Sequence, residues 1–283
     1  MLGIIAAMDT EASGILEILK EKKHNIIGSK HVYSGKINEK PVAVFISGCG
    51  KVNAAFGATI LLTQSTIKNV VMIGVAGALK NNLNIGDIII GNSFVQHDMD
   101  ARPLCKRFEI PYEKESIFYA DNTLHQAIYN AAEKTGRKTI SGQVASGDLF
   151  LSNINQKKEL ATELGDALCV DMETAAVAQA CKFANIPFGA ARIISDASDN
   201  SAHIDFNTFV KETGILCGHD YDGHLIQDKA YLRYTEEQLK RDWIGGAHWG
   251  VIKAVHESFG DTNIELLGSS CWLAKNRQNW FVK

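Results

Sequence analysis

The chain has 283 residues, of which 46% are hydrophobic and 22% charged, and its formal net charge is −3. This length and composition allow one large domain or two unequal ones with a substantial core. The slightly acidic balance gives no positive field, so we predict that the protein binds neither nucleic acid nor an anionic membrane surface.

The sequence carries no targeting signal that we can identify. No stretch approaches the roughly 18 consecutive apolar residues of a membrane span, and the start, MLGIIAAMDTE, lacks the basic region of a signal peptide. The six cysteines form no CxxC pair, and several lie in apolar runs such as ALCVDM. We interpret them as reduced thiols and predict a cytoplasmic protein.

From the N-terminus onward, short β-branched runs alternate with segments of helical periodicity. The runs predict strands at 2–7, 31–37, 41–47, 70–74, 87–95, 139–145, 168–171 and 188–195. The periodic segments predict helices at 10–19, 52–66, 124–135, 156–164 and 173–183. This alternation predicts an α/β fold with a mixed, largely parallel central sheet flanked by helices.

The character of the sequence changes near Gly214. All four tryptophans follow this residue and none of the four prolines does. We therefore predict one main domain over 1–213 and an extension over 214–283 that packs on the domain or on a partner. Within the extension, the capping-box spacing of TEEQ predicts a helix over 235–259, and an apolar run predicts a strand at 264–267.

Three acidic residues directly follow apolar strands: Glu11, Glu173 and Asp196. In open α/β sheets, ligands bind beyond the carboxyl ends of the strands, so these carboxylates are candidates for one cleft. Each acid alone is also explained as a helix first-turn or turn residue. The glycine-bearing strand exits SGCGKVNAA and GVAGAL favour close approach of a ligand, but neither matches a triphosphate or dinucleotide motif. We predict no cofactor.

Seven motifs together resemble a known family. They occur in the order and spacing of the 5′-methylthioadenosine/S-adenosylhomocysteine nucleosidases, within the purine nucleoside phosphorylase superfamily: MDTE, SGCGKVNAA, IGVAGAL, QHDMDARPL, SGDLF, VDMETAAVA and ISDASD. The resemblance covers residues 1–209. It implies a nucleoside phosphorylase-like fold, hydrolytic release of adenine from a 5′-substituted nucleoside, and a homodimer.

The resemblance also implies roles for the three carboxylates. Asp196 would protonate N7 of the leaving purine, and Glu11 would polarise the attacking water, which divides the work as in inverting glycosidases. Glu173 would hold the ribose hydroxyls, with Met172 against the sugar and Arg192 supporting the carboxylate. From the residues alone, core packing is the better explanation of Met172.

Further positions follow from the same resemblance. Phe150 would stack on adenine and the backbone of Leu151 would read the base edge, although an aromatic residue there also suits a core. The remaining positions are Ser195 at the substrate; Met8, Cys49 and Phe206 around the 5′-substituent; and Phe108, Ile110 and Pro111, which would reach into the neighbouring subunit's pocket. Val75 stands where many members of the family carry serine.

Three alternative functions stay open. A phosphorylase of the same fold needs cations for phosphate beside its glycine turns, but VVMIGVAGAL has no arginine and the N-terminal motif is acidic, which favours hydrolysis. A futalosine-type hydrolase and a non-catalytic nucleoside sensor are the other two. An assay for adenine release separates an enzyme from a sensor.

One cluster in the extension has side chains that can bind metals: His219, Asp220, Asp222 and His224. Its order lacks the paired histidines of zincins and the cysteine pairs of structural zinc sites. We therefore interpret it as a solvated loop and predict no metal site.

Overall fold

The computed structural model describes residues 1–64 and 66–196 and, beyond them, strand residues 243–244, 247–248, 264–268, 271–276 and 279–281. The chain divides into two compact units, Met1–Asp205 and Phe206–Lys283. The predicted pocket residue Phe206 and the cluster from His219 to His224 lie outside the described residues.

The described part of the first unit contains ten strands and five helices in the predicted alternation. The strands are β1 Leu2–Ala6, β2 Lys20–Ile27, β3 Lys30–Ile37, β4 Lys40–Ile46, β5 Asn69–Ala78, β6 Ile88–Gln96, β7 Ile117–Tyr119, β8 Thr139–Ser146, β9 Ala167–Asp171 and β10 Phe188–Asp196. The helices are α1 Asp9–Ile18, α2 Lys51–Leu62, α3 Asn122–Glu133, α4 Ile154–Glu163 and α5 Thr174–Phe183. All eight predicted strands and all five predicted helices of this unit are confirmed, whereas β2 and β7 were not predicted.

The sheet contains a closed ring of five strands. β5 pairs with β10, which pairs with β6; β8 and β9 then lead back to β5. Strands β1, β4, β3 and β2 extend from β5 in that order, and β7 pairs with β6. The predicted mixed sheet is confirmed, but antiparallel pairing is as common as parallel pairing. The reason is that β2, β3 and β4 follow each other through short turns, which only antiparallel neighbours allow.

The main core lies between the ring and the helices α2 and α5. Phe45, Leu61, Met72 and Phe94 are fully buried there. The first half of helix α5 is buried on all sides, since its residues from Thr174 to Ala178 are all buried. Strands covered on both faces read as continuous apolar runs, which explains why they were recognisable in the sequence. Ser93, Gln143 and Arg192 are buried polar residues inside strands, whereas Ser146, Asp171 and Asp196 lie at strand ends.

The five helices are each 10 or 12 residues long, and none in the described part of the chain is long and apolar enough to cross a membrane. Four cysteines of the first unit are free thiols, of which Cys169 and Cys181 are buried.

The second unit contains short antiparallel strands: β11 Trp243–Ile244, β12 Ala247–His248, β13 Ile264–Gly268, β14 Cys271–Asn276 and β15 Asn279–Phe281. The predicted strand at 264–267 is confirmed. The predicted helix over 235–259 is wrong where β11 pairs with β12. The sequence Gly245-Gly246 lies between these strands, and a glycine pair favours a hairpin turn over a helix.

Candidate active site

Glu11 lies at the start of α1, directly after β1. Its Oε2 accepts hydrogen bonds of 2.9 Å from the backbone N–H groups of Ala7 and Met8, which leave β1. Its Oε1 accepts a third bond, also 2.9 Å, from the backbone N–H of Val75 in β5. Because this contact uses the backbone, valine at position 75 keeps it. The carboxylate is thereby fixed between two neighbouring strands of the sheet.

Glu173 follows β9 and occupies the N-cap position of α5. The residue is 5% exposed, and its Oε1 accepts a 2.8 Å hydrogen bond from the backbone N–H of Gly50. Gly50 caps α2 with a φ of 93°, a conformation that favours glycine. Burial first, and then the charge of Asp171, raise the pKa of Glu173 to about 7, while Arg192 acts in the opposite direction. Near neutral pH this carboxyl group is therefore present in both protonation states.

Arg192 lies among the carboxylates and forms ion pairs with them. Its guanidinium is fully buried, and Nη2 lies 2.6 Å from Oδ2 of Asp171. Arg192 Nη1 lies 3.9 Å from Glu11 Oε1, and Arg192 Nη2 lies 3.9 Å from Glu173 Oε2. A Cβ at position 74 would collide with both Arg192 Nη1 and Glu11 Oε1, so Gly74 provides the space that this approach requires. One cation thus holds three carboxylates at one end of the sheet.

Asp171 was not among the predicted site residues. It is the last residue of β9 and accepts hydrogen bonds from the hydroxyl groups of Ser146 and Thr174 in addition to its ion pair. The Thr174 hydroxyl in turn accepts from Arg192 Nε at 2.9 Å. The sequence contains Asp171 inside VDMETAAVA, two residues before Glu173. This short separation at the end of a predicted strand is the signal that could have indicated Asp171.

Asp196 ends β10 and is 3% exposed. The pairing of β10 with β5 shifts register between Ile194 and Asp196, and such bulges at strand ends redirect side chains. Asp196 lies opposite Gly77, where a Cβ would come within 2.7 Å of Oδ2. Its Oδ1 accepts a 2.9 Å hydrogen bond from the Ser195 hydroxyl, and its Oδ2 lies 2.9 Å from the ammonium group of Lys157.

Lys157 is the second residue that sequence reasoning missed. It lies on α4 and is 1% exposed, an unusual burial for lysine. Its signal was present in the sequence, because Leu160 and Leu164 follow it at the spacing of one helix face. A cation on such an apolar face requires a buried partner, and that partner is Asp196.

Three other predicted residues lie beside the carboxylates. Met8 and Met172 donate backbone hydrogen bonds to Glu11 and Glu173, respectively, at 2.9 and 3.3 Å. Cys49 is exposed and immediately precedes Gly50. Loss of solvation, followed by the charges of Glu173 and Glu11, raises the pKa of its thiol. Met8 and Met172 thus contact the carboxylates, and Cys49 lies next to the glycine that contacts Glu173.

The other predicted residues that the structure describes lie in apolar clusters or at the surface. Phe150 is 49% exposed, and Leu151 packs in a separate apolar cluster that Phe108 also contacts. Phe108 and Ile110 line a surface groove of about 590 Å³, with Pro111 beside them in the chain. Among the residues that the structure describes, no group of three His, Cys, Asp or Glu side chains is arranged to hold a metal ion.

Comparison with known proteins identifies the family of the chain. The model of the phosphorylase superfamily matches residues 1–217. A 5′-methylthioadenosine/S-adenosylhomocysteine nucleosidase of Staphylococcus haemolyticus is 36% identical over 217 residues, which cover 75% of this chain and 93% of the relative.

Solved structures give the same result. The nucleosidase of Neisseria meningitidis in complex with methylthio-immucillin-A has a TM-score of 0.71 and 30% identity, covering 74% of this chain and 90% of that one. The futalosine hydrolase of Helicobacter pylori has a TM-score of 0.70 and 28% identity, covering 75% and 91%. The fold and site define a member of the phosphorylase superfamily. Within it, the chain belongs to the family of 5′-methylthioadenosine/S-adenosylhomocysteine nucleosidases.

The raised pKa of Glu173 predicts a pH-dependent difference in stability between the wild type and Glu173→Gln. Because the folded pKa is about 7 and the ordinary value is 4.5, the contribution of this residue is fully present below about pH 4.5 and is lost as pH rises through about 7. We expect the free energy of unfolding of the wild type, relative to the variant, to fall by up to about 3 kcal/mol between these limits. Urea unfolding at several pH values measures this difference.

The exposed acid Glu159 on α4 provides the control, because Glu159→Gln changes one carboxyl group without the burial. A wild-type-to-Glu173→Gln difference that stays constant with pH would contradict the raised pKa.

Proposed function

We propose that this chain hydrolyses the N-glycosidic bond of 5′-substituted adenine nucleosides, methylthioadenosine and S-adenosylhomocysteine, and releases adenine. The observation that carries the proposal is the arrangement of carboxyl groups. Glu11 and Glu173 meet at Arg192, while Asp196 lies buried with a different partner. The nucleosidase relatives that match three quarters of the chain support the same reaction.

The two environments suit two roles. Asp196, enclosed beside Gly77 and Ser195, is the acid that protonates N7 as the purine leaves. Glu11, held by three backbone N–H groups, is the acceptor for a proton of the attacking water. The C1′–N9 bond breaks, a C1′–O bond forms, and one proton passes from water to Glu11 while another passes from Asp196 to N7.

Glu173 faces the sugar in this proposal. Cleavage of an N-glycoside leaves positive charge on the ribose, and an anionic neighbour stabilises that charge in the transition state. A carboxyl group with a pKa near 7 also accepts hydrogen bonds from ribose hydroxyls, which strengthen when it is ionised. Glu173 would therefore contribute to binding and to the rate.

Phosphorolysis is the less favoured reaction because the buried cations at the site are paired with carboxylates. A phosphate site needs cations that are free to contact the anion. In the described part of the chain, the two fully buried cations at the site are Arg192, enclosed by carboxylates, and Lys157, paired with Asp196. The two buried cations are thus both paired with carboxylates, which favours water over phosphate as the nucleophile.

A second substrate is favoured by one structural neighbour. The futalosine hydrolase of Helicobacter pylori is as similar in fold as the nucleosidases, with a TM-score of 0.70. Futalosine therefore belongs in the substrate panel, as a competitor to the methylthio nucleoside.

A product assay tests the reaction. We expect base release from methylthioadenosine and S-adenosylhomocysteine at rates independent of phosphate, with the free sugar as the second product. Chromatography of reactions with and without phosphate, extended to adenosine, inosine and futalosine, measures this. A sugar 1-phosphate as the main product would show the enzyme to be a phosphorylase, and no release from any nucleoside would show a sensor.

Variants of the two proposed catalytic acids should fail in different ways. Asp196→Asn should lower kcat by about 10²- to 10⁴-fold, because an amide of similar shape cannot deliver a proton. Glu11→Gln should abolish turnover yet retain nucleoside binding in calorimetry, since water activation rather than recognition is lost. Glu17→Gln, an exposed acid on the same helix, is the matched control. Loss of binding by folded Glu11→Gln would reassign Glu11 to the ribose.

We propose further that the protein is a homodimer formed through α2 and α5. Val52 on α2 is 80% exposed and Phe183 on α5 is 58% exposed, and both line one groove. Exposed apolar surface of this kind marks association sites. The segment with Phe108, Ile110 and Pro111 would then complete the pocket of the neighbouring copy.

Sedimentation velocity tests this assembly. We expect the wild type to sediment as two chains and Phe183→Lys as one, with a raised KM because the pocket lacks the partner's segment. Ile18→Lys, a substitution at an exposed residue at the end of α1, should stay dimeric. A monomeric wild type would exclude the dimer.

A further inference from the structure

The Lys157–Asp196 ion pair is almost completely shielded from water. The lysine and aspartate side chains are 1% and 4% exposed, and Nζ lies 2.9 Å from Oδ2. Removing two charges from water costs several kcal/mol for each ion, and a buried pair is often no more stable than apolar side chains of similar volume. Packing alone therefore gives no reason for a lysine on the apolar face of α4.

We infer that Lys157 is a positioning residue for the reaction. Its ammonium group orients the Asp196 carboxyl group and stabilises the carboxylate that forms when Asp196 gives its proton to the purine. This inference rests on the proposed nucleoside hydrolysis, because it assigns a partner to the acid of that reaction.

The chemical reason is the charge that the acid acquires. When the O–H bond of Asp196 breaks and the N7–H bond forms, an anion remains in a site closed to solvent. The ammonium group of Lys157 lies 2.9 Å from Oδ2 and provides a positive charge beside the carboxylate that the transfer leaves. Ser195 holds the other oxygen, and Gly77 leaves the room for this orientation.

Without the ammonium group, the carboxylate formed at the buried Asp196 would lose the positive charge beside Oδ2. Asp196 would then hold its proton and bind N7 as a hydrogen-bond donor, but it would transfer the proton poorly. The lost interaction belongs to the transition state and not to substrate binding, so kcat should fall while KM stays nearly unchanged.

Three substitutions at position 157 test the role of the charge. Lys157→Met removes the charge at similar volume, and we expect kcat for methylthioadenosine to fall about 10- to 100-fold. Lys157→Gln keeps a hydrogen-bond donor without charge and should lose activity to a similar extent. If Lys157→Met does not fold, Lys157→Gln serves as the test instead. Lys157→Arg keeps the charge and should stay within about fivefold of the wild type.

Two controls exclude a merely structural effect. Lys158→Met, a substitution at the exposed neighbour on α4, should leave kcat unchanged. A 4-nitrophenyl 5-methylthioriboside has a leaving group that departs without a proton, so all Lys157 variants should hydrolyse it at nearly wild-type rates. Equal losses on both substrates would overturn the inference, because the defect would then not lie in proton transfer.

The remaining outcomes distinguish a failure of this inference from a failure of the proposed function. A Lys157→Met enzyme with wild-type kcat for methylthioadenosine would overturn this inference alone and leave the proposed function intact. So would a loss of activity in Lys157→Arg as deep as in Lys157→Met. A wild type that releases no adenine would overturn the proposed function, and the inference with it.

Discussion

The buried guanidinium of Arg192 is the interaction on which the arrangement of the site depends. It comes from β10 and contacts acids from three other parts of the chain: Asp171 at the end of β9, Glu173 at the start of α5 and Glu11 at the start of α1. A fully buried cation is stable only when anions and hydrogen-bond acceptors surround it. The folded state therefore requires these acids to converge, whether or not a substrate is present. Removing the cation would leave three carboxyl groups facing one another.

The closed ring of strands makes this convergence possible. Because β10 pairs with β5 on one side and β6 on the other, its end cannot separate from the end of β5, where Gly74 and Val75 lie. The backbone of β5 holds Glu11 directly and leaves space for Arg192 beside it. Rigid strands thus fix groups whose reaction requires placement within fractions of an ångström. The strands of the sheet thus fix the positions of the acids that end them or directly follow them.

The sequence predicted these elements where local signals and burial agree. Continuous apolar runs marked the central strands, and two of the acids after them, Glu11 and Glu173, meet at Arg192. Strand β2 was missed because all eight of its residues, KEKKHNII, are exposed and show no apolar alternation. Asp171 and Lys157 were missed because their partners are distant in the chain: Arg192 lies on another strand, and Asp196 follows 39 residues after the lysine. Pairing of this kind is a property of the tertiary fold, which a linear pattern does not contain.

The charges of the site point to the nature of the state that it stabilises. In the described part of the chain, the site contains the carboxyl groups of Glu11, Asp171, Glu173 and Asp196 and the two buried cations Arg192 and Lys157. Acids therefore outnumber cations, and the negative charge of Asp171 adds to burial, the larger cause, in raising the pKa of Glu173. In the proposed reaction, a ribose that becomes cationic would supply positive charge to this cluster. Ionisation of Glu173 would then become favourable as the ribose charge forms, so the proposed site would complement the transition state more than the neutral nucleoside.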